Sequence, residues 1–280
     1  MAAGMNLFTA LFDTYQRTAR LFPGLLMLLP ALLALLAWFP YLIIGNIGLS
    51  LVTLATSCGL LYTLATIART KGKRIETKLL AKWGGWPTTI LLRHSSQMDR
   101  FTRARYHAFL AKSVPIEFPT LEQERQDPAR ADEVYGSAIK WLLEKARGDK
   151  FPMVAKENAS YGFRRNLLGL RPLALSLCVL VTLLSVAAIV LQLAPQWSGL
   201  TWSQITASQS TGVWAALGVN IFAAVLWATT VSEDWVRQAA DQYASALLAC
   251  CDSLATSSVK SPARQRTPRA PKGTTGEDDT

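Results

Sequence analysis

LFPGLLMLLPALLALLAWFPYLIIGNIGLSLVTLATSCGLLYTLATIA, residues 21–68, holds no charged side chain. Neither does PLALSLCVLVTLLSVAAIVLQLAPQWSGLTWSQITASQSTGVWAALGVNIFAAVLWATTVS, residues 172–232. The roughly 30 Å hydrocarbon core of a bilayer takes about 20 apolar helical residues, so each stretch is long enough to cross twice. The first divides at Tyr41–Ser50, around Gly45, Asn46 and Gly48. The second divides at the Trp/Ser/Thr-rich loop Pro195–Gly212. Four spans are therefore expected, near Phe22–Ile43, Ile47–Ala68, Leu173–Ala194 and Val213–Val231. The expected fold class is all-α: a polytopic membrane protein of four transmembrane helices in two hairpins, with a mostly helical cytoplasmic domain between them.

The charges outside those stretches predict an orientation. Segment 69–171 carries 21 Lys/Arg against 11 Asp/Glu, Arg17 and Arg20 precede the first span, and six basic residues follow the last. The two short turns between paired spans have no charge. Basic loops stay on the cytoplasmic side, so both termini and the central segment are expected inside. Trp38, Trp197, Trp202 and Trp214 then fall at the outer edge and Trp227 and Trp235 at the inner, where amphipathic rings settle. The absence of a long outer domain suits a bacterial inner membrane. The first apolar run follows some 20 residues of structured-looking sequence, exceeds a typical signal h-region and feeds into a second span, so a retained hairpin is expected rather than a cleaved peptide.

The expected organisation is an amphipathic interfacial helix in 1–20, a hairpin in 21–68, a basic cytoplasmic domain in 69–171, a second hairpin in 172–231, a cytoplasmic helix in 232–255 and a disordered tail in 256–280. Leu7, Phe8, Leu11, Phe12, Tyr15 and Ala19 share one face of the first helix, opposite Asn6, Thr9, Asp13, Gln16, Arg17 and Arg20. Such a helix lies in a membrane interface or packs on the cytoplasmic domain. Pro30 should kink span 1. Ser232-Glu233-Asp234 opens the last helix with acidic residues that complement its N-terminus. The tail has too few apolar residues to order.

Within the spans, Thr53, Thr56, Gly59 and Thr63 share one half of span 2. Gly212, Ala216, Asn220, Ala224 and Ala228 recur every four residues along span 4. Small and hydroxylated faces let helices approach closely, which suits homo-oligomer or inter-helix packing; a wetted pathway is the alternative. A mid-span Asn needs a hydrogen-bond partner or lines a pore. None of the spans contains Asp, Glu, Lys, Arg or His, which argues against a proton relay or a voltage sensor.

The cytoplasmic segment offers two clusters. Lys82-Trp83-Gly84-Gly85-Trp86-Pro87 precedes a helix expected to start at Pro87 and run to about Lys112, with Arg93, Arg100, Arg103 and His107 on one face. Cations in a row with tryptophans nearby suit phosphate contact and base stacking; a solvated face, or one apposed to anionic lipid headgroups, is the alternative. Thr120 with Gln123 predicts a capping box, and Asp132–Arg147 a further helix ended by Gly148. The second cluster precedes span 3: Glu157, Asn158, Tyr161, Arg164 and Arg165. Arg164 and Arg165 serve topology, but Glu157, Asn158 and Tyr161 are not needed for it, so a structural or gating joint is expected.

No phosphate loop, nucleophile elbow or metal-ligand spacing appears among Cys58, Cys178, Cys250, Cys251, His94 and His107. Ser95 and Ser96 are next to His94 in sequence, where side chains on a helix do not face each other. No enzyme and no cofactor are expected. The segments Lys82–Arg93 (KWGGWPTTILLR) and Glu157–Leu168 (ENASYGFRRNLL), set in this layout of arm, hairpin, basic domain, hairpin and helix, resemble the membrane component of the Hailong anti-phage system. The resemblance implies an oligomeric channel restrained by an oligonucleotide from a partner nucleotidyltransferase. The residues themselves leave open a non-channel scaffold that docks a cytoplasmic protein partner. Membrane lipids are expected partners on either reading.

Overall fold

The computed structural model describes residues 14–40, 47–148, 150–196, 199 and 201–259, with side chains throughout except at 14, 47–58, 196 and 257–259. The amphipathic face before Thr14, the Tyr41–Asn46 turn and the tail beyond Val259 lie outside the described residues. No strand occurs among those described. Ten α-helices follow in order: α1 (Phe22–Trp38), α2 (Ile47–Trp83), α3 (Pro87–Leu92), α4 (Arg100–Ser113), α5 (Leu121–Gln126), α6 (Pro128–Lys145), α7 (Pro152–Leu193), α8 (Trp202–Ala207), α9 (Thr211–Thr229) and α10 (Glu233–Val259). A helical turn, Thr14–Gln16, and a π-helical turn, Arg17–Leu21, lead into α1 without a break.

Three helical stretches are long and apolar enough to cross a membrane: Arg17–Trp38, α7 and α9. They turn large apolar side chains outward, among them Leu183, Leu184, Leu191 and Phe222, as helices bathed in hydrocarbon do. The helices do not stop where the charges begin. α2 runs through Arg69 to Trp83, and α7 runs through Arg171 and Pro172. Uncharged and charged halves are thus parts of the same continuous helices.

α7 is the spine of the molecule, packing against α1, α2, α9 and α10. The first apolar core gathers around it, with Leu64, Ala68 and Leu79 of α2, Leu167, Leu168 and Leu170 of α7, and Val236 and Ala239 of α10. A second core holds Leu92, Leu110, Tyr135 and Leu142 together with Leu247, Leu248, Cys250 and Cys251. α10 is therefore not an appendage: its second half fills the centre of the basic segment, and Tyr243 touches both cores. Burial pushes the Cys251 thiol up to about 12, so it packs as an inert apolar group.

The helix expected from Pro87 to Lys112 is two helices. Pro87 does open α3, but Arg93 is extended and residues 93–99 form a connection. Asp99 then caps α4 by accepting the Phe101 and Thr102 N–H groups at 3.0 and 2.9 Å. Ser96 returns its hydroxyl to the Leu91 carbonyl at 2.8 Å, competing with helix continuation. Upstream, Gly84 and Gly85 have φ of 76° and 131°. Their N–H groups bond the Ala81 and Leu80 carbonyls, the Schellman pattern that ends a helix on glycine. The Thr120/Gln123 capping box is formed.

Candidate functional site

Where the charged half of α2 meets α7, the two backbones touch. A Cβ on Gly169 would lie 2.6 Å from the Gly72 nitrogen, and one on Gly72 would lie 1.9 Å from Asn166 Oδ1. Only glycine permits this approach. It draws the next turn of each helix close enough to bury polar side chains against one another. Glu76 of α2 and Arg165 of α7 form an ion pair, Nη1 to Oε1 2.6 Å, with side chains 6% and 7% exposed. Tyr161 donates its hydroxyl to the same Glu76 oxygen at 2.9 Å, and Lys73 donates to the other at 2.6 Å.

The network reaches the N-terminal helix through Asn166. Its Oδ1 accepts from Arg165 Nε and Nη2 at 3.3 and 3.2 Å, and its Nδ2 donates to the Ala19 carbonyl at 2.6 Å. In an α-helix the Ala19 carbonyl would be served by residue 23. That residue is Pro23, which has no N–H and whose ring crowds the carbonyl four residues earlier. The π-turn at Arg17–Leu21 makes room for the ring, and Asn166 supplies the missing donor. Gly162 completes the crossing: a Cβ there would stand 3.0 Å from Ala19 Cβ. One buried joint thus fastens α2 and α7 to each other and to the turn that leads into α1.

Burial opposes ionisation of Glu76. The hydrogen bonds and charges of Lys73 and Arg165 override it and hold the carboxyl below its ordinary value of 4.5. The carboxylate is charged at neutral pH and the joint is a true ion pair.

Beside the joint is a cavity of about 450 Å³ between the two apolar cores. Glu76, Tyr161 and Arg165 line one side of it. Among the described residues, five basic side chains line it (Arg20, Arg69, Lys73, Lys140 and Arg165), with Glu76 the single carboxylate. Thr88 and Thr89 from α3, and Ile139 and Leu143 from α6, also line it, as do Tyr243 and Leu247 from α10.

Of the candidates for ligand contact, only Trp86 reaches this cavity, at whose edge it is 48% exposed. Lys82 pairs with Glu233 on the surface, and Trp83 lies under the Arg237 guanidinium at 5.0 Å. Arg93 holds Asp132 through Nε at 2.8 Å and the Gly84 carbonyl through Nη2 at 2.7 Å. Arg103 donates to Ser96 Oγ and the Met98 carbonyl. His107 Nε2 donates to the Leu92 carbonyl at 2.8 Å, packed between Phe118 and Tyr135. Arg100 is exposed, lying 4.6 Å from the Phe101 ring centroid. The expected row of cations on one helix face is not formed, because the helix is divided and two of its members secure the division.

The second cluster is brought together more fully. Tyr161 and Arg165 enter the joint and Asn158 lines the cavity. Arg164 donates to the Trp235 carbonyl at 3.0 Å and stacks on that ring at 4.8 Å, fastening α7 to α10. Glu157 is half-buried beside them. Asn166 closes the same polar stretch, whereas Glu76 and Lys73 were not singled out in the sequence.

Asn220 finds its partners on α7, donating to the Cys178 carbonyl at 2.8 Å and to Thr182 Oγ1 at 2.7 Å; its buried Oδ1 has no partner among the described residues. Ala216 is buried beside it, Ala224 half-buried, and Gly212 and Ala228 exposed. On α2, Gly59 and Thr63 are exposed, and the Thr53 and Thr56 side chains lie outside those described. Comparison of the chain with protein-family models, with curated proteins and with solved structures found no match.

Proposed function

We propose that this chain is a gated membrane effector: an oligomeric four-span protein of a bacterial inner membrane, with both termini and the basic segment cytoplasmic. An anionic ligand, nucleotide or oligonucleotide, held by that segment, controls membrane permeability. The fourth span is the uncharged half of α2, from Ile47 to Ala68, helical throughout. The excess of basic residues in 69–171 supports the orientation. The outward faces of Gly59, Thr63, Gly212 and Ala228 are the surfaces offered to a second copy. The resemblance to the Hailong membrane component points the same way, toward a role in anti-phage defence.

The observation that carries the proposal is the buried joint. An ion pair in this position is a poor way to gain stability, because desolvation of both charges offsets most of their attraction. It is a good way to make an arrangement two-state, since a partly separated pair leaves charges uncompensated. Its members sit at the charged ends of α2, α7 and the helix leading into α1, so releasing it frees three membrane-entering rods together.

The test is dye entry and potential-sensitive fluorescence in cells expressing the full chain. Wild type is compared with Glu76→Gln and Arg165→Lys at matched membrane accumulation. Permeability altered in both variants is expected. Membranes unaffected by either variant would overturn the gate and favour a scaffold that docks a cytoplasmic protein, for which exposed Phe101 beside Arg100 offers a contact.

A further inference from the structure

We infer that the cavity beside the joint binds a phosphate group attached to an apolar or aromatic body, and that the bound phosphate competes with Glu76 for Lys73 and Arg165. The size suits such a ligand: about 450 Å³ lies within the range of small-molecule sites. The charge suits it as well. Among the described residues of the lining, basic groups outnumber carboxylates, and Arg69 and Lys140 are not engaged by the one carboxylate, Glu76.

Several donors in the lining are unused. Arg69 and Lys140 make no ion pair or hydrogen bond among the described residues, and neither does the Asn158 amide. The Thr88 and Thr89 residues are each only 7% exposed, yet their hydroxyls have no partner among the described residues. Both residues line the cavity, and their hydroxyl oxygens are not sealed from solvent, which leaves them available as hydrogen-bond donors. Guanidinium, ammonium and hydroxyl donors converging from α2, α3, α6 and α7 match the several acceptor oxygens of a phosphate. Ile139, Leu143 and Leu247, with the Trp86 and Tyr243 rings, provide for what the phosphate carries.

Two sources share this chemistry. Arg20 and Arg69 stand at the edges of the uncharged stretches, where an inner-leaflet phospholipid presents its headgroup. A soluble aromatic phosphate ester is the other, its ring stacking on Trp86. Regulation follows from shared residues: a phosphate that recruits Lys73 and Arg165 weakens their hold on Glu76. This last step rests on the gated-effector proposal; the binding itself does not.

The experiment uses the purified full chain in phosphatidylcholine nanodiscs. One arm titrates ATP by calorimetry. The other adds phosphatidylglycerol to the discs, without soluble phosphate, and detects retained lipid by native mass spectrometry. Saturable uptake is expected in one arm, and that arm identifies the source. Arg69→Ala/Lys140→Ala should weaken it by roughly tenfold or more, the loss of charge-assisted hydrogen bonds, and Thr88→Val by a few-fold. Glu76→Gln, which releases two cations, should strengthen it. Arg100→Ala, outside the cavity, should leave it unchanged. Both altered cations are exposed, and an unchanged melting temperature confirms folding. No uptake in either arm, or uptake indifferent to Arg69→Ala/Lys140→Ala, overturns the site. Absent uptake while Glu76→Gln still alters permeability would sink the cavity and spare the gate; intact uptake with unaltered permeability would do the reverse.

Discussion

Glu76→Ala removes the one carboxylate of the joint and leaves the Arg165 guanidinium buried, with Asn166 Oδ1 as its remaining acceptor. The Tyr161 hydroxyl loses its acceptor at the same time. Breaking a buried ion pair from one side costs about 3–5 kcal/mol, because the survivor's charge is uncompensated. At about 2 °C per kcal/mol for a chain of this size, the melting temperature in detergent should fall by roughly 6–10 °C. The informative variant is the double one. Glu76→Leu/Arg165→Met removes both charges and fills the space with apolar groups, and such replacements are often neutral or stabilising. It should recover most of the loss, giving a coupling of about 2 kcal/mol or more between adjacent sites. The assay is a thermal melt followed by tryptophan fluorescence on four proteins: wild type, Glu76→Leu, Arg165→Met and the double variant. Additive losses, or single variants that melt within 2 °C or so of wild type, would refute the claim that the pair is buried and interdependent.

Other outcomes follow from the same structure. Gly169→Ala forces a methyl group into the Gly72 backbone and should abolish accumulation of folded protein. Gly218→Ala, with nothing within 4 Å, should be neutral or gain up to about 1 kcal/mol of helix propensity; fluorescence-detected size exclusion compares the two. Asn220→Leu removes interhelical bonds of about 0.6–1.7 kcal/mol but also an unpartnered oxygen, so its melt should shift little. Asn220→Asp buries a carboxylate at roughly 3 kcal/mol and should be far worse. Burial holds His107 below its ordinary 6.5, against the pull of the Leu92 hydrogen bond. The unfolded chain therefore takes up the proton first, and stability should be flat above about pH 7 and decline below 6.5. His107→Gln should flatten that decline in circular-dichroism melts. The Glu76 contribution is retained throughout this range, because its lowered pKa puts its loss below 4.5.

Features written in contiguous residues were legible from the chain. The uncharged stretches marked the apolar helices, Pro87 marked a helix start, and Thr120 with Gln123 marked a cap. Polar density at 157–165 pointed to a joint, and Tyr161 and Arg165 are in it. Glu76 was hidden because it sits in Lys71-Gly72-Lys73-Arg74-Ile75-Glu76-Thr77-Lys78, which reads as a solvated face. Its burial depends on Gly72 meeting Gly169, a contact between distant segments that no local pattern encodes. A usable signal was present in Pro23, whose missing N–H leaves the Ala19 carbonyl in need of a donor. The partner of Arg93 was hidden for the same reason as the burial of Glu76: Asp132 is 39 positions away. The central role of α10 likewise emerges only when Leu247 and Leu248 meet Leu110 and Tyr135.

The most direct measurement is ion flux from liposomes containing equal amounts of the purified wild-type chain or Glu76→Gln, both verified as folded. If the joint holds the membrane helices in one of two arrangements, flux through the variant differs from wild type by several-fold at the same incorporation. Equal flux through both, or none through either, would contradict the proposal that this buried pair is the gate.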